Sequence, residues 1–168
     1  MATMSDIDPL AAEVLVTAEV SVGDEQAIVK IFRDLDVIAH SRMVPTRRGL
    51  IGLEWVVLAT LPLHALLSGF GSAAADDLAR GLKNLVARVV GPKCKTVSAP
   101  RVMVLQDAAT RLQIVLEADL PPEAYQALVA LDLSVFRQGP VHYDRQRGRW
   151  RSELDEWRRF REENPGPA

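Results

Sequence analysis

The chain has 168 residues, a formal net charge of −2 and 25% charged side chains; it is long enough for one domain with its own core and lacks the basic excess of a general nucleic-acid binder. Its single cysteine, Cys94, excludes an intramolecular disulfide and a multi-cysteine metal site, and fits a reducing compartment. The opening MATMSDIDPLAAE has no basic region followed by an apolar core, so no secretory signal is expected and the cytoplasm is the expected location.

Residues 1–12 read as a loose lead-in, 13–163 as a single α+β domain and 164–168 as a frayed tail. Glu13 to Val22 alternates, with Val14, Val16, Ala18, Val20 and Val22 on one face, which predicts a strand. Gly23 and Asp24 end it and cap a helix whose Ala27, Ile28, Ile31, Phe32 and Leu35 recur at helical spacing. Val37 to Val44 reads either as a short strand or as a connection, closed by Pro45 and Gly49.

Gly49 to Gly71 is the most apolar stretch, interrupted only by Glu54 and His64 among ionisable groups. Its length would suffice for a membrane span, but a carboxylate inside the bilayer is costly and Pro62 breaks the middle of the run. The favoured division is a central strand, Leu50 to Leu61, covered on both sides, then a helix with Pro62 at its first position. Leu53, Trp55, Val57, Ala59 and Leu61 are assigned to one face of that strand, with Leu50, Val56 and Leu58 on the other. Ser72 is an N-cap candidate for the next helix, with a stripe of Leu78, Leu82, Leu85, Val86 and Val89 and a stop at Gly91-Pro92.

Arg101 to Gln106 and Arg111 to Glu117 have the spacing of a hairpin, and Asp119-Leu-Pro-Pro-Glu starts a helix with Tyr125 and Leu128 inward. Val141 to Trp150 reads as a second hairpin, with Asp144 opening the turn, Gly148 taking positive φ, and Tyr143 meeting Trp150 across it. Ser152 and Asp155 resemble a capping box before a last helix whose narrow stripe is Trp150, Leu154, Trp157 and Phe160. The expected assembly is a mixed β-sheet of about four to five strands covered by amphipathic helices.

The order of alternating strand, amphipathic helix, a connection ending in Val44-Pro45, and an apolar segment before a capped helix resembles small effector-associated accessory domains of actinobacterial conflict systems. The likeness spans the first half of the chain. It implies a non-catalytic adaptor or accessory module of bacterial origin, with no catalytic residues to carry over.

Signatures of chemistry are sparse. His40, His64 and His142 have no second metal-type ligand at helical or strand spacing, and Ser68-Gly-Phe-Gly-Ser72 is neither phosphate-loop pattern. Neither a cofactor nor a metal is expected. The local concentration of Arg145, Arg147 and Arg149 beside Tyr143, Trp150 and Trp157 combines residue types enriched at interface hot spots. The leading expectation is therefore a non-enzymatic domain that binds another protein through those six residues. The alternatives are a ligand-binding protein or enzyme with a pocket using Glu54, His142 and Asp144, in which Arg101 is a candidate partner for Glu54, and a membrane-acting effector that inserts residues 50–70. A homodimer through the last helix is a further expectation.

Overall fold

The computed structural model describes residues 10–45, 54–68, 72–91 and 101–166; at Glu54 and residues 72–74 only the backbone is described. Cys94, Phe70 and Leu50 to Leu53 lie outside these residues. The elements run β1 (Leu10–Thr17), α1 (Val22–Asp34), β2 (Val37–Val44), β3 (Glu54–Leu61), α2 (Leu63–Ser68), α3 (Ser72–Val89), β4 (Arg101–Asp107), β5 (Gln113–Glu117), α4 (Pro122–Val129), β6 (His142–Asp144), β7 (Arg149–Arg151) and α5 (Glu153–Glu163). A short 3₁₀ turn at Leu133–Val135 joins α4 to the second hairpin.

Five strands form one mixed sheet in the order β2-β1-β3-β4-β5. The parallel pairs β1–β2 and β3–β4 are connected through helices, whereas β1–β3 and β4–β5 are antiparallel. This is the expected α+β architecture, and Val37–Val44 is a strand along one edge.

β1 starts earlier than its alternation suggests and ends at Thr17, so Ala18 and Val22 are not strand residues. The Ser21 hydroxyl accepts the Asp24 N–H and donates to the Asp24 carboxylate. That cap starts α1 at Val22 and leaves Val22 exposed. Local hydrogen bonding here overrides a period-two pattern that continues in the sequence beyond the strand.

The core fills one face of the sheet. Val14 and Val16 of β1 and Val57, Ala59 and Leu61 of β3 pack with Ile28 and Phe32 of α1, Leu82 and Leu85 of α3, and Tyr125 and Leu128 of α4. The other face carries a separate cluster of Val102, Val104 and Val115 with Trp55 and Leu58, to which no helix among the described residues contributes. Helices on both sides of the central strand are thus not what the described residues show. A bulge between Trp55 and Val57 shifts the register against β4, so Val56 and Val57 both join the core while Trp55 joins Leu58 on the second face. The face assigned to Trp55 and Val56 from alternation is corrected by that one extra residue.

Pro62 sits one residue before α2, its carbonyl accepting the Leu66 N–H. Leu63 and Leu66 are buried and His64 is exposed. No helix among the described residues is long and apolar enough to cross a membrane.

Candidate interaction surface

The second hairpin is built onto the edge of the main sheet. Val141 bridges Ile114 in parallel fashion, donating to the Gln113 carbonyl and accepting from Val115 N–H, so the edge of β5 is covered. The turn from Asp144 to Gly148 is held by the Asp144 carboxylate, which accepts the N–H groups of Gln146 and Arg147 at 2.9 and 3.0 Å. Gly148 has φ +62°, the left-handed region that glycine enters without penalty.

Tyr143 and Trp150 meet edge-on with ring centroids 5.5 Å apart. Trp150 is only 5% exposed, and its indole N–H donates to the Ala124 carbonyl of α4 at 3.0 Å. It is a core residue that clamps the hairpin to α4 and is not accessible to a partner. Arg145 is also engaged within the chain, donating to Asp119 at 2.7 Å and Glu117 at 3.3 Å and so tying the hairpin to the end of β5. Arg147 and Arg149 are looser, 3.8 Å from Asp144 and 4.0 Å from Glu156.

Helix α5 is attached to the body by polar groups. The Ser152 hydroxyl accepts the Asp155 N–H and donates to the Gln138 carbonyl. The Asp155 carboxylate accepts the N–H groups of Arg137 and Gln138 at 2.8 and 3.1 Å. Arg151 donates to both oxygens of Glu156 and to Asp144. These contacts hold charge in place: hydrogen bonds from Arg151 keep the Glu156 carboxyl below the usual carboxylate range, and the Arg147 N–H followed by the Arg151 guanidinium does the same for Asp144. Arg151 is raised in turn by Glu156 and Asp144. A cleft of about 360 Å³ lined by Val135 and by polar side chains, Arg137, Arg158 and Arg159 among them, separates α5 from the 3₁₀ turn.

Asp155 is the only buried residue of α5, and none of its residues joins the core cluster. At 100° per residue, Leu154, Trp157 and Phe160 share the side opposite Asp155. They are 48%, 58% and 63% exposed. The Arg161 guanidinium lies 4.7 Å over the Trp157 ring, and Arg149 approaches from the hairpin through Glu156. The result is an aromatic strip with cationic borders, facing away from the protein. Asp155 was readable as the acid of a capping box; that its carboxylate instead holds residues 137–138, turning the apolar side outward, has no signature in the sequence.

The alternative grouping of Glu54, His142 and Asp144 is not drawn together by the described residues. The Glu54 side chain lies outside them, and its backbone, paired with Arg101, begins β3. β4 and β5 stand between β3 and the hairpin, which at about 4.8 Å per strand separates Glu54 from β6 by about 14 Å. The Arg101 guanidinium donates to Glu19 at 3.0 Å. Asp144 has its oxygens occupied by the turn and Arg151, and His142 faces Arg151 across the hairpin. Among the described residues no three His, Cys, Asp or Glu side chains gather as a metal site. No protein-family model, curated protein or solved structure matches the chain.

Proposed function

We propose that this chain is a non-enzymatic cytoplasmic adaptor or accessory domain that binds another protein through the outer side of α5 and the loosely held arginines of the second hairpin. The observation that carries this reading is the orientation of α5: a helix anchored by Asp155 and Ser152, with Leu154, Trp157 and Phe160 turned away from the body. Leaving three large apolar side chains half exposed on one strip forgoes about 1 kcal/mol per side chain that burial would return, and a partner supplies that burial. Tryptophan and arginine at the centre and rim of a patch are the residue types that dominate protein interfaces. Trp150, Tyr143 and Arg145 hold in place the hairpin that carries Arg147 and Arg149. An adaptor role in a bacterial conflict or signalling assembly agrees with the accessory-domain resemblance of the first half.

The test is affinity isolation from the producing organism with the wild-type chain and with a variant carrying Arg147→Ser, Arg149→Ser, Trp157→Ser and Phe160→Ser. The wild type is expected to retain a protein partner in near-stoichiometric amount, and the variant to lose it at an unchanged melting temperature. An identical set of bound proteins for both chains would overturn the reading.

A further inference from the structure

Resting on the reading of α5 as a protein-binding strip, we infer that the strip's occupant is α5 of a second copy of this chain, packed antiparallel about a two-fold axis through Trp157. The sequence of the helix from Glu153 to Arg161 is Glu-Leu-Asp-Glu-Trp-Arg-Arg-Phe-Arg. About Trp157 it is antisymmetric in charge and symmetric in hydrophobicity: Glu153 mirrors Arg161, Leu154 mirrors Phe160, Asp155 mirrors Arg159 and Glu156 mirrors Arg158.

When the two-fold axis is perpendicular to the helix, a residue at position i meets the mirrored position of the other copy, and the reverse contact is made at the same time. An antiparallel α5 pair therefore sets Trp157 against Trp157, Leu154 against Phe160, and Glu153 against Arg161 twice. A parallel pair would set Glu153 on Glu153 and Arg161 on Arg161, which like-charge repulsion disfavours. Asp155 and Glu156 are occupied within their own copy, so the electrostatic selection falls on Glu153 and Arg161. Both are exposed, and no hydrogen bond or ion pair ties Glu153 to its own chain among the described residues. Every residue from Arg159 to Glu163 is exposed; Arg159 reaches the Val135 carbonyl at 3.4 Å on the inner side, and the side of Trp157 and Phe160 leaves room for a second helix alongside. The contact spans about 13 Å of helix, which places it at the small end of protein interfaces, among those of transient complexes.

Sedimentation equilibrium of the full chain from about 1 µM to about 500 µM tests this. The wild type is expected to pass from monomer to dimer, and Trp157→Asp to remain monomeric with an unchanged melting temperature, a shift of at least about a hundredfold. Glu153→Arg and Arg161→Glu each place like charges at both mirrored pairs and are expected to weaken self-association about tenfold. An equimolar mixture of these two variants restores both attractive pairs and should associate as tightly as the wild type. A wild type that is monomeric throughout, a dimer unaffected by Trp157→Asp, or a mixture no tighter than its components would each overturn the inference. Loss of the dimer with retention of a different partner in the affinity isolation would leave the adaptor reading standing; a dimer with no other protein bound would do the reverse.

Discussion

Helices α1 and α5 begin with the same local signal and are held in opposite ways. Each has a serine N-cap that accepts the N–H of an aspartate three residues on, Ser21 with Asp24 and Ser152 with Asp155. In α1 the apolar stripe turns inward, with Ile28 and Phe32 buried against the sheet, and Asp24 is reached by Arg88 from α3. In α5 the aspartate is buried as Asp24 is, but the aromatics turn out. A cap and an apolar period define a helix and the existence of a stripe; the direction of the stripe is set by which side the rest of the chain supplies with partners. For α5 that partner is the polar backbone of residues 137–138.

The contrast is sharpest for two phenylalanines. Phe32→Ala, in the core beneath the sheet, is expected to cost about 3–5 kcal/mol in urea unfolding of the monomer. Phe160→Ala is expected to stay within about 0.5 kcal/mol. Similar losses for both would show that α5 packs inward after all.

Asp155→Ala removes the acceptor for two backbone N–H groups and is expected to cost about 2 kcal/mol. Hydrogen exchange should localise the loss to the Arg137 and Gln138 amides and to α5, with the amides of β1 and β3 still protected. Ser152→Ala removes the N-cap and the hydrogen bond to the Gln138 carbonyl and should cost about 1 kcal/mol in the same unfolding experiment.

The smallest expected effect is a pH dependence at the hairpin–α5 junction. Asp144 and Glu156 have folded-state values below their ordinary ones. A depressed carboxylate stabilises the folded form fully above its unfolded value, about 4, and that contribution is lost as pH falls through the folded value. Acidification below about pH 4 should therefore raise amide exchange in 149–156 and at the β4–β5 turn, where Asp107 is likewise lowered, before it affects β1 and β2. The reverse order would remove Arg151, Asp144 and Glu156 from the account of how α5 is held.

The layered architecture was legible because its signals are local and repeated. Alternation in β1, the stripes of α1 and α3, and the Asp144–Gly148 turn all specify their elements by short-range chemistry. Face assignment in β3 was legible from Val57 to Leu61 but not at Trp55 and Val56, where a single bulge reverses it and no residue type announces one. Of the residues expected to meet a partner, Trp157 is on the surface, whereas Trp150 is in the core and Arg145 is consumed by Asp119 and Glu117. Seven positions separate the two tryptophans, and both fit one stripe on paper. What parts them is that β7 and α5 are different elements, with the Ser152 cap between them.

The most direct measurement of the central claim, that the outer side of α5 is a binding surface, is photocrosslinking in the native cell. A photoreactive phenylalanine analogue is installed in place of Trp157 or, as a control of similar exposure and no surrounding aromatic strip, in place of Val22. The account predicts a discrete crosslinked product from position 157, of the mass of the chain plus one protein partner or a second copy, and none from position 22. Equal, diffuse labelling from both positions would contradict it.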